Sequence, residues 1–84
     1  MSELNPDFEA AVANAKQLPE KPDNTTLLKI YGLYKQATVG DNEDKKPSFT
    51  DYVARAKWDA WTAQKGKSLQ QAQRDYIELI ESLR

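Results

Sequence analysis

The sequence predicts an all-α fold, a four-helix up-down bundle around one core. Four stretches carry apolar residues at helical spacings of three and four, capping or breaking residues bound each of them, and no stretch shows strand alternation. The first helix opens at Asn5-Pro6, a cap followed by proline at the first helical position. It lines up Phe8, Ala11, Val12, Ala15 and Leu18 on one stripe and ends at Pro19 and Pro22. The second follows the polar group Asp23-Asn24-Thr25, places Leu27, Ile30, Tyr31, Tyr34 and Ala37 on its stripe, and closes at Gly40, which suits a left-handed C-terminal position. Residues 41–47 carry no period and read as a long, solvated loop. The third helix is expected to begin near Ser48, where Ser48 and Asp51 form a shortened capping box, and to run through Trp58 and Trp61 to Gly66. Ser68 and Gln71 make a capping-box pattern for the fourth, whose stripe is Ala72, Tyr76, Leu79, Ile80 and Leu83.

A chain of 84 residues has room for one domain, expected to span residues 1–84, and for no second lobe of an active site. It has no Cys and no His, which excludes a thiol nucleophile, a disulfide, a zinc site of the usual nitrogen and sulfur kind and a Ser-His relay. No metal, no cofactor and no catalysis are therefore expected. A net charge of −1 gives no global positive field for DNA, RNA or anionic lipid, so nucleic acid is not an expected partner and any phosphate site must be local. The opening residues Met1 to Pro6 carry neither a basic start nor an apolar run. No segment approaches the roughly 20 apolar residues of a span, so a cytoplasmic protein without membrane insertion is expected. Near-neutral charge and the lack of a spare apolar stripe favour a monomer.

Three helices carry a lysine at the border of the apolar stripe: Lys16, Lys35 and Lys57. On the second helix Leu28, Tyr31 and Lys35 form a row at spacings three and four beside the main stripe, and on the third Lys57 lies next to Trp58 and Trp61, with Val53 and Ala60 on its flank. A surface mixing apolar, phenolic and ammonium groups suits a ligand that is greasy at one end and phosphorylated at the other. Taken alone, the spacing is more often that of lysines snorkelling over apolar surface and of tyrosines and tryptophans serving as core anchors.

The order of residues is more specific than their spacing. The run from Tyr31-Gly32-Leu33-Tyr34-Lys35-Gln36-Ala37-Thr38-Val39 to Gly40-Asp41, then Pro47, then Ala56-Lys57-Trp58-Asp59-Ala60-Trp61 and Lys65-Gly66, resembles the acyl-CoA-binding protein family. The two blocks are too long to coincide by chance, and the likeness extends from Phe8 through Lys16 and Lys21-Pro22 to Tyr76. It implies a four-helix bundle that binds medium- to long-chain acyl-CoA esters, protects them and carries them between acyl-CoA-producing and acyl-CoA-consuming enzymes without transforming them.

Residue by residue, the resemblance implies ligand contacts at Lys16, Tyr31, Tyr34, Lys35, Lys57 and Tyr76. Tyr31 would lie against the adenine, Lys35 and Lys57 would hold the region of the ribose 3′-phosphate, and Tyr76 would offer its hydroxyl to the head group. The acyl chain would follow an apolar groove at Phe8, Leu27 and Leu28. The chain departs from the family pattern just before Lys57, where a further basic residue and a glycine are usual and Val53 and Ala54 stand instead, with Arg55 the nearest cation. A reading of another class is a helical interaction module that docks its Tyr/Lys face on a protein partner and takes no small ligand.

Overall fold

The structure, a computed structural model, describes residues 5–84. Of the opening residues Met1 to Pro6, in which the sequence shows neither a basic start nor an apolar run, Met1 to Leu4 lie outside the described residues. Four helices and no strand are present among the described residues: α1 (Pro6–Ala15), α2 (Asn24–Thr38), α3 (Tyr52–Thr62) and α4 (Leu69–Leu83). Each start follows from a side chain that accepts an otherwise unpaired backbone N–H. Asn5 caps the N–H of Asp7, Asp23 that of Thr26, Asp51 that of Ala54 and Ser68 that of Gln71. The glycine stops also hold: Gly40 and Gly66 adopt φ of 100° and 92°, values that a Cβ disfavours.

Two boundaries differ from expectation. α3 starts at Tyr52 because Asp51, not Ser48, is its cap; the Ser48 hydroxyl is instead within 2.9 Å of the Thr50 hydroxyl in the preceding turn. α1 ends at Ala15, before either proline, and Leu18 reaches the core from beyond the helix. The Ser68 box is half formed, since the Gln71 amide donates forward to Asp75 at 2.8 Å.

α2 is the central element. It packs against α4 on one side and α3 on the other, while α1 lies against α4. The Cα extents of 35 × 33 × 17 Å describe a flattened molecule in which α3 stands to one side of the main core. That core comprises Phe8, Ala11, Leu33, Ala37, Ala72, Tyr76 and Ile80, edged by Val12, Ala15, Leu18, Ile30, Ile77 and Leu79. The buried face of α2 is thus rotated from the predicted stripe. Leu33, Gln36 and Ala37 are its buried positions, with Gly32 at the α3 side, whereas Leu27, Ile30 and Tyr31 are half-buried and Tyr34 is 39% exposed. A helix covered on two sides hides a wider arc than a single stripe reveals.

Buried amides tie the layers together across long stretches of sequence. Gln36 donates to the Lys67 carbonyl and to the Asp41 carboxylate, both at 2.8 Å. Gln73 accepts from the Asn5 N–H at 3.1 Å and donates to the Ala37 carbonyl at 3.3 Å. The N–H of Gly66 and the Gln36 amide together hold the Asp41 carboxyl below its ordinary pKa. The loop after α2 is more than solvated chain. Asn42 is buried and donates to the Thr62 hydroxyl at 2.9 Å, Trp58 donates to the Asp44 carbonyl at 3.0 Å, and Trp61 donates to the Gly40 carbonyl at 2.7 Å.

The α2–α3 crossing depends on one missing side chain. A Cβ built at Gly32 would come within 2.3 Å of the Ala60 carbonyl oxygen, a backbone atom that cannot swing aside. Gly32→Ala is therefore expected to lower stability by about 1–3 kcal/mol despite alanine's higher helix propensity, as measured by urea denaturation. An unchanged midpoint would contradict the close crossing.

A second prediction concerns acid. The hydrogen bond from Lys67, 2.6 Å from Asp75, with help from Gln71, keeps the Asp75 carboxyl below its ordinary pKa. Because the folded value is the lower one, the pair stabilises the fold above about pH 4 and loses that effect as pH falls through the folded-state value. Lys67→Met should cost about 0.2–1 kcal/mol at neutral pH, and the difference from wild type should vanish in strong acid. A difference independent of pH would contradict an electrostatic origin.

Candidate functional site

The α2–α3 crossing opens toward the N-terminal half of α2 into a cleft of about 380 Å³. One wall is the α2 row Asn24, Leu27, Leu28 and Tyr31; the other is Tyr52, Val53, Ala56 and Lys57 of α3. Both rows follow spacings of three and four, so two helices crossing at Gly32 present matched ridges to each other. The walls are mostly apolar, and the cationic group among the lining residues is Lys57.

Both nearby ammonium groups rest on aromatic faces. Lys57 Nζ lies 5.5 Å from the centre of the Tyr31 ring, and Lys35 Nζ lies 4.8 Å from a Trp61 ring centre. Lys35 follows Tyr31 by one turn and continues the row beyond the cleft. The ion pairs among the described residues are Lys67–Asp75 and Arg84–Glu81, so no carboxylate neutralises Lys35 or Lys57. An apolar cleft ending at the Lys57 ammonium, with the Lys35 ammonium one turn beyond it on α2, can accept an anionic amphiphile. The stem goes to the walls and the charge to the lysines.

On the other flank of α2 is an aromatic trio. The Phe8 ring centre is 5.0 Å from that of Tyr76, edge to face, and 6.2 Å from that of Tyr34 in stacked geometry; Tyr34 and Tyr76 are 6.3 Å apart. Tyr76 is 3% exposed, and its burial, with a smaller contribution from Tyr34, raises its phenol pKa. The hydroxyl therefore keeps its proton and remains a donor.

The structure thus brings together Leu27, Leu28, Tyr31 and Lys57 around the cleft, with Lys35 one turn on. Tyr34 and Tyr76 stand on the α4 side of α2. Phe8 is 1% exposed and lies in the core beneath those two tyrosines, apart from the cleft walls. Lys16 is the exposed C-cap of α1, the helix that packs on α4. Tyr52, Val53, Ala56 and Asn24 are wall residues that sequence reading did not assign to a site. The spacing of Val53, Ala56 and Lys57 was the available signal, but only the crossing shows which α2 residues they oppose.

A family model described as acyl-CoA-binding protein matches residues 5–80. The chain belongs to the acyl-CoA-binding protein family. An acyl-CoA-binding protein homolog of Drosophila melanogaster is 44% identical over 80 residues, 95% of this chain and 93% of the relative. An acyl-CoA-binding protein of Saccharomyces cerevisiae is 46% identical over 76 residues, 90% of this chain and 87% of its own. The crystal structure of Oryza sativa acyl-CoA-binding protein 2 superposes with a TM-score of 0.88 at 44% identity, covering 92% of this chain and 86% of that one. The family's four-helix fold is therefore this chain's fold, and the partner-docking alternative is not favoured.

Phe8 and Leu28 separate core from cleft. Phe8→Ala is expected to destabilise the fold by about 3–5 kcal/mol. Leu28→Ala, at a half-buried wall position, should cost less than half as much in the same denaturation experiment. Equal losses would contradict the placement of Phe8 in the core.

Proposed function

We propose that this chain binds medium- to long-chain acyl-CoA esters, shields them from solvent and carries them between the enzymes that make and use them, with no chemical step of its own. The observation that carries this reading is the apolar α2–α3 cleft that ends at Lys57, with Lys35 one turn beyond, neither lysine having a carboxylate partner among the described residues. The names of its relatives agree with it.

In this reading residues 1–84 are one acyl-CoA-binding domain. Leu27 and Leu28 take the acyl chain, whereas Phe8, expected from the resemblance to line the same groove, packs in the core beneath Tyr34 and Tyr76. Tyr31 lies against the adenine. Lys35 and Lys57 face the ribose 3′-phosphate region, Tyr34 and Tyr76 contribute phenol groups to the head group, and Lys16 joins from α1. The family is one of binding proteins, and in a chain without Cys or His no hydroxyl has a plausible base partner, so the ester is held rather than cleaved. No helix among the described residues is long and apolar enough to cross a membrane, and the described residues contain no cluster of metal-ligating side chains. A monomer working in the cytoplasm, needing no cofactor, completes the proposal.

Affinity should be divided between two parts of the ligand. Each methylene moved from water into the cleft contributes about 0.8 kcal/mol, and each lysine–phosphate contact about 1.5–3 kcal/mol. Calorimetry is expected to show palmitoyl-CoA binding far more tightly than either CoA or palmitate, and equal affinities for all three would overturn the reading. Lys35→Ala or Lys57→Ala should weaken binding about tenfold or more with the fold intact. Acyl esters of dephospho-CoA should bind the wild type correspondingly less well; undiminished binding would remove the 3′-phosphate from the role given to these lysines.

A further inference from the structure

Five large apolar or aromatic residues are exposed among those described: Tyr34, Val39, Phe49, Tyr52 and Val53. Three of them fall within five positions, and they are the most exposed, at 73% for Phe49, 80% for Tyr52 and 67% for Val53. A turn closed by the Asp51 N–H on the Ser48 carbonyl at 3.0 Å sets Phe49 just ahead of the first turn of α3. Tyr52 and Val53 are also wall residues of the cleft, so the exposed apolar surface runs continuously into the cleft mouth, while Phe49 stands outside it.

We propose that Phe49, with Tyr52 and Val53, is the tip by which this protein touches a phospholipid bilayer and takes up or delivers its ligand there. The proposal rests on the acyl-CoA reading for the ligand, but the contact itself needs none. An apolar and aromatic tip fits the boundary between head groups and acyl chains, where a phenol such as that of Tyr52 has both an oily and a wet side. Lys45 and Lys46 precede Phe49 by four and three residues, both exposed, and Lys46 is braced over the Trp58 ring at 5.4 Å. Their ammonium groups lie within reach of head-group phosphates. Glu43 and Asp44 stand beside these lysines and are exposed as well, so the loop carries no net positive charge and the apolar tip, not the charge, selects the bilayer. A second copy of the chain is the poorer occupant. Three side chains of this kind offer roughly 400–500 Å², against about 800 Å² per partner in a stable interface. The contact is confined to the bilayer surface, since no described helix can span it. The expectation of no membrane insertion, drawn from charge and span length, was blind to a patch this small.

The absence of cysteine allows a single environment-sensitive dye to be placed at Phe49→Cys, with Ser82→Cys at the exposed end of α4 as the control. With ligand-free protein and vesicles of phosphatidylcholine containing a minority of phosphatidylserine, the dye at 49 should shift to the blue and brighten, and the dye at 82 should not. Phe49→Ser, on the otherwise unaltered chain, should keep its affinity for palmitoyl-CoA in solution while its rate of uptake from those vesicles falls about tenfold. A silent dye at 49, uptake at the wild-type rate by Phe49→Ser, or a dye response that needs raised protein concentration instead of vesicles would each overturn the proposal. Failure of the wild type to bind palmitoyl-CoA in solution would strike the functional reading alone, because the dye response is measured without ligand.

Discussion

The close approach of α2 and α3 at Gly32 and Ala60 is the constraint on which the candidate site depends. Only a residue without a side chain allows the Ala60 carbonyl to come so near, and that proximity sets how the two helices cross. The crossing fixes the distance between the row at Leu27, Leu28 and Tyr31 and the row at Val53, Ala56 and Lys57. It thereby sets the width of the cleft and puts the Lys57 ammonium over the Tyr31 ring. The loop from Gly40 to Asp51 reinforces the same geometry. Trp58 and Trp61 of α3 donate to its backbone, and Asn42 returns the bond to α3. A loop fastened by three side-chain donors restrains α3, which would otherwise be held to the rest of the molecule by α2 alone.

The flattened arrangement divides labour within α2. Leu33 and Ala37 commit to the core shared with α1 and α4, whereas Leu28, Tyr31 and Lys35 remain at the α3 side, partly buried and available. The core side chains of α2 and its cleft-wall side chains therefore lie on different faces of one helix. Removing a wall side chain from the cleft costs less folding free energy than removing one from the core, which leaves room for groups chosen for a ligand rather than for packing. The lysines show the same separation. Lys67, in the connection before α4, pairs with Asp75 of that helix, while Lys35 and Lys57 are held by rings that brace the ammonium without neutralising it.

Much of the fold was legible because its signals are local. Asn5, Asp23 and Ser68 cap the helices they precede, Gly40 and Gly66 take the left-handed backbone, and the α4 stripe of Ala72, Tyr76 and Ile80 is the buried one. The long motif made the family readable as well. What could not be read depends on residues distant in sequence. Gln36 is buried because it joins the Lys67 carbonyl to Asp41, and Asn42 because it meets Thr62; neither amide announces its partner. Phe8 and Leu27 are both apolar stripe residues, yet one lies under Tyr34 and Tyr76 and the other on a cleft wall, a difference made by which helix each faces. Val53 could be placed on the flank of Lys57, but a third helix expected to begin near Ser48 hides that Tyr52 and Val53 form its exposed first turn.

The central claim is that the α2–α3 cleft and its two lysines form one binding surface. Its most direct test is the set of intermolecular nuclear Overhauser contacts in the complex with palmitoyl-CoA. The result expected is contact between the acyl methylenes and Leu27, Leu28 and Val53, with adenine protons near Tyr31 and Lys57. Contacts instead to the cleft between α1 and α4, at Asn5, Gln73 and Arg74, with the α2–α3 residues undisturbed, would contradict it.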